Sequence, residues 1–387
     1  MFKILTLNNI SSVGLNRLPR ENYEIASEFN NPDAILVRSA KMHDMELPAS
    51  VKAIGRAGAG TNNIPVAKMS ERGVCVFNAP GANANAVKEL VLAGMLMAAR
   101  NIPQAWDFAR NLEGTDPEIG KAVEAGKKNY VGTELPGRTL GVIGLGAIGV
   151  LVANAARALG MKVIGYDPTI TVQAAWQISS EVEKAASVDD LLSKVDFVTF
   201  HVPLTDATRG LINAERLKFM KDGVVILNFA RDGVVDDSAV CAVLDTPKIG
   251  AYVCDFPTNC LKNHPKAITL PHLGASTREA EENCAVMVAD QVREYLEHGN
   301  ISNSVNFPSV NLPRSSAHRL AVVNANVPDM VGQITHQLAK GGLNIQHMVN
   351  ESRGDLAYTL MDVSAPISDQ TRDAIAAVQG VLSVRVL

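Results

Sequence analysis

The stretch that most constrains this chain is Thr139–Pro168, TLGVIGLGAIGVLVANAARALGMKVIGYDP. It predicts a strand, a glycine turn, a helix and a second strand that ends in an acid. Gly144, Gly146 and Gly149 fit G-x-G-x-x-G. The first glycine serves a tight turn, the second lets a pyrophosphate approach the backbone, and the third lets helix and strand close up. A helix that starts here offers free N–H groups and a positive dipole end to phosphate. Ile148, Leu151, Val152, Ala155, Ala156 and Leu159 recur at helical spacing, and Gly160 stops the helix. The strand Lys162–Tyr166 then delivers Asp167, eighteen residues past Gly149. An acid there bonds the adenosine ribose hydroxyls and repels a 2′-phosphate, which favours NAD over NADP. The bland alternative is a packing turn that binds nothing. The strand before, the helix after and the spaced acid argue against it.

At 387 residues the chain exceeds one ordinary core, so two or three domains are expected. It is 47% hydrophobic and 20% charged, with a net charge of −4. That balance fits a globular protein and gives no electrostatic reason to expect nucleic acid or an anionic membrane as partner. No uninterrupted apolar run approaches the ~18 residues of a membrane span. The opening MFKILTLNNI lacks a basic region followed by a long apolar run and predicts a first strand. Five scattered cysteines without C-x-x-C suit buried or incidental thiols in a reducing, cytoplasmic setting and argue against a disulfide framework or a zinc site.

Taken in order, residues 1–98 alternate short apolar strands (Lys3–Leu7, Ala34–Arg38, Ala53–Ala57, Val74–Asn78) with helical stretches such as Ile64–Arg72. This pattern predicts α/β structure on a parallel sheet. Ala86–Arg100 predicts a long apolar helix, and Ile102–Lys128 a helix broken near Gly114 and Pro117. The dinucleotide domain is expected over 99–280, with further strands Phe197–Val202, Val224–Phe229, Ile249–Asp255 and Ala267–Leu270. A second long helix, Glu279–His298, returns the chain to the first domain, which becomes discontinuous (1–98 and 281–305). The Asn/Ser/Pro-rich residues 300–316 predict a linker or edge segment, with the linker proper at 306–316. Residues 317–387 predict β-α-β-β-α-β, a ferredoxin-like module. The expected fold is therefore α/β: a Rossmann-like NAD domain inserted in a flavodoxin-like domain, plus a ferredoxin-like tail.

Three polar stretches follow predicted strands, where open α/β sheets place ligands. In Asn228–Gly233, Arg231 is placed to hold a carboxylate through two parallel hydrogen bonds, or else to form a surface ion pair. In Pro271–Ser276, His272 has the chemistry of a proton acceptor and donor at neutral pH, although a lone histidine is more often structural. Arg38-Ser39 and Arg56-Ala57-Gly58 combine arginines with small turns that suit an anion. A nicotinamide cofactor, an arginine and a histidine acid/base together fit oxidation of a 2-hydroxy acid at C2.

The chain resembles the D-isomer-specific 2-hydroxyacid dehydrogenases, in the branch that carries a C-terminal ACT domain. The matching stretches are Arg56–Asn63, Phe77–Leu90, Gly141–Gly149, Asn228–Asp236 and Leu270–Thr277. The resemblance implies that Arg231 and His272 are the catalytic arginine and histidine. It implies NAD contacts at Gly144, Gly146, Ala147, Ile148, Gly149, Asp167, Ala230, Asp255, Gly274 and Ala275, with Val87 and Lys88 facing the cofactor. It places Arg38, Ser39, Arg56, Ala57 and Gly58 near a phosphorylated hydroxy-acid substrate, D-3-phosphoglycerate. No metal is implied. One departure stands out: the family's third catalytic residue is a glutamate, and Asn259 occupies its expected place in Cys254–Cys260. In the tail, Asn326 and Asn344 match positions that bind L-serine in regulated relatives, while Asp329 and Asn324 replace a glycine and a histidine there. The family pattern implies a homodimer or homotetramer. Two other readings stay open at this stage, a dehydrogenase of glyoxylate, hydroxypyruvate or another D-2-hydroxy acid, and an NAD-sensing binding protein. The tail and the extra arginines favour the phosphorylated substrate, and the pairing of Arg231 with His272 favours an enzyme.

Overall fold

The computed structural model describes all 387 residues. It divides into two compact units, Met1–Asn83 with Arg278–Leu387 and Ala84–Thr277.

The first unit holds a parallel sheet of β1 (Phe2–Leu7), β2 (Tyr23–Ala26), β3 (Ala34–Val37), β4 (Ala53–Arg56) and β5 (Cys75–Phe77), in the order β2-β1-β3-β4-β5. That is the flavodoxin-like order. The central strands are apolar runs buried on both faces, as parallel sheets require. The helix Arg278–His298 lies across β3, β4 and β5. It comes close because β4 has a glycine beneath it: a Cβ on Gly55 would stand 2.6 Å from Val288 Cγ2.

The second unit holds β6 (Thr139–Ile143), β7 (Lys162–Tyr166), β8 (Glu183–Lys184), β9 (Phe197–Phe200), β10 (Val224–Asn228), β11 (Ile249–Cys254) and β12 (Ala267–Thr269). All pairs are parallel, in the order β12-β11-β10-β9-β6-β7-β8. The order reverses between β6 and β9, the switch point at which a doubly wound sheet opens its ligand crevice. The helix Ala84–Ala99 packs here, on β10, β11 and the helix Ala147–Ala158. The expected boundary near residue 98 therefore falls instead before this helix, because its apolar face is buried by the second sheet.

The tail forms β13 (His318–Ala325), β14 (Ile345–Arg353), β15 (Leu356–Val363) and β16 (Val381–Val386), antiparallel in the order β14-β15-β13-β16. Strand β13 alternates between two cores. Leu320 and Val322 face the helices Met330–Lys340 and Asp369–Ala376, whose Ile334, Leu338 and Ile375 share their cluster. Ala321 and Val323 join the core of the first unit with Tyr295, Phe77 and Phe307. Arg385 donates to the carbonyl of Tyr295 at 3.0 Å and stacks 3.9 Å over its ring. Tyr358 donates to Gly299 O at 2.7 Å. These donors and cations meet the C-terminal end of the helix Arg278–His298, where free carbonyls and the dipole favour them.

Several expectations are corrected. Residues 306–316 are not a linker but fit the edge alternative: Val310 bridges Ile301, and Phe307, Val310 and Leu312 are buried in the core of the first unit. Asn306 also accepts from Val76 N at 2.9 Å. The break in Ile102–Lys128 falls at Gly114 as expected, over residues 111–115, while Pro117 lies just past it and helps begin the helix Asp116–Gly126. The short strands β2 and β8 were not expected; each is too short and too polar to show a period. The cysteines are not all free, since Cys241 and Cys260 form a disulfide with Cα atoms 6.3 Å apart. They lie 19 residues apart with no spacing that marks a pair, and only the fold brings them together.

Candidate cofactor and active site

The site grows from the turn after β6. Gly144 has φ +92°, and a Cβ there would stand 2.6 Å from His201 O. Only glycine meets both conditions without strain. A Cβ on Gly149 would lie 1.9 Å from Gly144 O, so the first turn of the helix Ala147–Ala158 rests directly on the loop. Gly146 differs: a Cβ there would meet nothing within 4 Å. Gly146 is also the N-cap and supplies no side-chain hydrogen bond. The leading N–H groups, at Ala147 and Ile148, therefore lack an intrahelical acceptor and border open space, which is what a pyrophosphate needs. Asp167 closes the turn from the end of β7. Its Oδ2 accepts from Leu145 N and its Oδ1 from Thr169 N, both at 2.8 Å.

The loops after β10, β11 and β12 form the other half. Asn228, 1% exposed, accepts from Ala230 N at 3.2 Å and donates to Arg231 O at 3.1 Å. This buried amide fixes the backbone on both sides of an exposed guanidinium. Arg231 Nη1 meanwhile donates to Ala230 O at 2.6 Å. Asp255, 2% exposed, accepts from Gly274 N at 2.9 Å through Oδ2. Its Oδ1 is buried without a partner. Burial pushes the Asp255 carboxyl above the usual range, opposed by the backbone donors Leu273 and Gly274 and by His272. A buried acceptor without a donor is costly, and a carboxamide N–H on a bound nicotinamide would satisfy it. Val87 stands against the same loop, its Cγ2 being 3.6 Å from where a Gly274 Cβ would sit. The bare helix start, the vacant space over Gly146 and the orphaned Oδ1 together fit NAD.

His272 has φ +53°, unusual for a side chain with a Cβ. Its N–H reaches Asp255 O at 3.2 Å and Leu270 O at 3.1 Å, so two loops hold the strained turn. The imidazole is exposed and stands edge-on to Phe256, with ring centroids 5.3 Å apart. Asn259 and the His272 ring make no hydrogen bond, and no carboxylate is paired with that ring. Ala275 is exposed beside it.

Sequence reasoning missed His201. It follows β9 at the switch point and lay within a predicted strand, so nothing marked it. Its Nε2 lies 3.2 Å from Thr199 Oγ1, and its Nδ1 is sealed without a partner. Burial lowers its pKa to about 3, so the ring is neutral.

In the first unit, Arg38 Nη2 pairs with Glu281 Oε1 at 2.5 Å, and Arg56 Nε donates to Arg38 O at 3.1 Å. Ser39 N donates to Asn8 Oδ1 at 3.2 Å, and Ala57 N to Val37 O at 2.8 Å. Gly58 has φ +156° and lets the Arg56 guanidinium fold over it, since a Cβ would stand 2.0 Å from Arg56 Nη1. In the tail, Asn326 is exposed and donates to Gly354 O at 3.0 Å. Asn344 is exposed and donates its N–H to Ser364 Oγ at 3.1 Å.

A doubly wound sheet with this glycine turn and these rim loops defines a dinucleotide-binding protein of the dehydrogenase class. Residues 92–274 match the D-isomer specific 2-hydroxyacid dehydrogenase, NAD binding domain. The chain is 37% identical over 349 residues to a D-3-phosphoglycerate dehydrogenase of Methanocaldococcus jannaschii, covering 88% of this chain and 63% of that one. It is 35% identical over 409 residues to one of Synechocystis, covering 99% and 68%. A solved structure, the TT0316 protein of Thermus thermophilus, aligns with a TM-score of 0.65 at 26% identity, over 79% of this chain and 100% of that one. The chain belongs to the D-isomer-specific 2-hydroxyacid dehydrogenase family, and its second unit is the family's NAD-binding domain. It spans about half to two thirds of the length of the curated relatives it matches.

Proposed function

We propose that the chain oxidises D-3-phosphoglycerate at C2 to 3-phosphohydroxypyruvate with NAD, a reaction that opens serine synthesis. The observation that carries this reading is the similarity to D-3-phosphoglycerate dehydrogenases over most of the chain. Bound NAD supplies a hydride acceptor; the protein supplies position and charge. In this reading His272 takes the proton of the C2 hydroxyl at its exposed imidazole and returns it in the reverse direction. Arg231 swings from the Ala230 carbonyl to the substrate carboxylate, where two parallel hydrogen bonds fix the orientation of C2. Asp255 orients the nicotinamide through Oδ1. Arg38 and Arg56 carry positive charge for the phosphate. His272 has Phe256 as its ring neighbour and Asp255 as the carboxylate that acts on it through charge, without a hydrogen bond, and in this reading Asn259 is a weak substitute for the family glutamate.

The tail has the ferredoxin-like topology of an ACT module, and Asn326 and Asn344 are exposed at loop positions that suit a small amino acid such as L-serine. Asp329, where regulated relatives carry glycine, keeps a left-handed φ of +69°, a conformation that aspartate tolerates better than most residues. Association into dimers or tetramers and a cytoplasmic location belong to the same reading.

Steady-state rates with D-3-phosphoglycerate, glyoxylate and hydroxypyruvate, each with the matching cofactor form, test the substrate. The phosphorylated acid is expected to have the highest kcat/KM. Preference for glyoxylate would reassign the substrate, and NADH binding without turnover of any of them would favour an NAD sensor. Calorimetry with millimolar L-serine tests the effector, and the absence of heat would remove it.

A further inference from the structure

We propose that Cys241–Cys260 is a reversible redox modification site that controls the loop beside His272. The bond joins the helix Asp237–Cys241 to residues 256–263, 19 residues apart in the chain. Those residues belong to no strand. Their backbone hydrogen bonds are local, from Leu261 and Lys262 to Thr258 O and from His264 to Leu261 O. The loop is anchored by buried Leu261, by the disulfide, by a side-chain hydrogen bond from Thr258 to Asp237 and by His264 Nε2 on Asp245 at 3.1 Å. It begins at Phe256, the ring that borders the His272 imidazole, and it carries Asn259 next to Cys260. A covalent tie at Cys260 therefore restrains the chain that limits where His272 points.

The bond is also reachable. Cys260 is exposed and Cys241 half-buried, whereas Cys75, Cys254 and Cys284 are all buried. Burial pushes the Cys75 thiol up to about 12 and the Cys254 thiol up to about 11, and raises Cys284 as well. Those three react slowly, because the thiolate is the reactive form.

A small dithiol is the chemical class that opens such a bond. Its thiolate attacks Cys260 Sγ, and the Cys241–Cys260 bond breaks. Cys241 leaves as thiolate and takes a proton. The second thiol of the reagent closes on the mixed disulfide and releases Cys260 as a thiol. Two electrons and two protons pass from the dithiol, which ends as a cyclic disulfide. Reduction removes the covalent tie and loosens the loop around its remaining anchors, so the edge-on contact of Phe256 with His272 is held less tightly.

The dehydrogenase readout rests on the proposed function, so two activity-free readouts accompany it. The native protein is labelled with a thiol reagent before and after dithiothreitol, with peptide mapping of Cys241 and Cys260. Trypsin cleavage after exposed Lys262 is timed in both forms. Turnover and NADH affinity are then measured on the same samples and on a Cys241→Ser/Cys260→Ser variant. The expected result is no label on the pair before reduction, label on both after, and several-fold faster cleavage at Lys262. Turnover should fall several-fold with NADH affinity held within about twofold, and the double variant should not respond to the dithiol. Label on both cysteines in the untreated protein would overturn the proposal. So would full reduction with unchanged cleavage at Lys262, or with turnover unchanged in an active enzyme. If no hydroxy acid is turned over, the functional reading fails, while labelling and cleavage still decide the redox site.

Discussion

Gly274 gives its backbone N–H to Asp255 Oδ2 at 2.9 Å, tying the loop after β12 to the end of β11. The other oxygen, Oδ1, is left buried and without a donor. Asp255→Asn can keep the bond to Gly274 but presents an NH2 where an acceptor stood. A hydrogen bond to a charged group contributes ~1.5–3 kcal/mol, so NADH affinity is expected to fall about 10- to 100-fold with little change in melting temperature. Fluorescence titration with NADH checks this.

The three glycines of the turn separate folding from binding. Gly149→Ala drives a methyl against Gly144 O and is expected to destabilise the second unit, by ~1–3 kcal/mol for an overpacked site. Gly146→Ala meets only open space. It is expected to melt like the parent and to bind NADH at least tenfold more weakly, because the methyl stands where the pyrophosphate approaches. Denaturant unfolding beside NADH titration distinguishes the two.

His201 makes the second unit sensitive to acid. Its folded pKa of about 3 lies below the ordinary value of 6.5. Between those values the unfolded chain binds the proton and the folded one does not. Stability is therefore full above about pH 6.5 and is lost as pH falls toward 3, at up to ~1.4 kcal/mol per pH unit. His201→Asn removes the titrating ring, and its unfolding free energy should vary less steeply over that range than the parent's.

Much of this was legible in the chain. Thr139–Pro168 announces itself because a dinucleotide turn needs glycines and an acid at fixed distances. The βαββαβ tail is legible because its strands and helices keep clean periods. What stayed hidden depends on groups that meet only through the fold. Arg319 and Asp362, 43 residues apart, form a fully buried pair with Nε–Oδ1 at 2.6 Å. Cys241 and Cys260 form a bond that no spacing marks, and His201 sits inside an apolar run. Strand β8, two residues long, has no period to read. Arg231 and His272 were visible as residues after strands, but not the buried Asn228 and Asp255 contacts that position their loops.

The buried pair also fixes the tail. Burial pushes the Asp362 carboxyl up, but hydrogen bonds from Arg319 and Ser315 outweigh it and hold it well below the usual range. Arg319 Nη1 donates to His298 O at 2.9 Å, so the pair reaches the end of the long helix. Removing one partner leaves a buried charge. Asp362→Ala is expected to cost ~3–5 kcal/mol, read by denaturant unfolding. The double variant Arg319→Met/Asp362→Leu should recover most of that loss.

The central claim is that this family member does its chemistry through His272. The direct measurement is NADH formation from D-3-phosphoglycerate by the parent and by His272→Asn, with NADH affinity measured alongside. Asparagine suits the left-handed φ of +53° at this position, so the loop should survive. Proton-transfer catalysis contributes ~10²–10⁴-fold. The expected result is a fall in kcat of that size with NADH affinity within about twofold of the parent. An active parent whose His272→Asn variant turns over at the same rate would contradict the account.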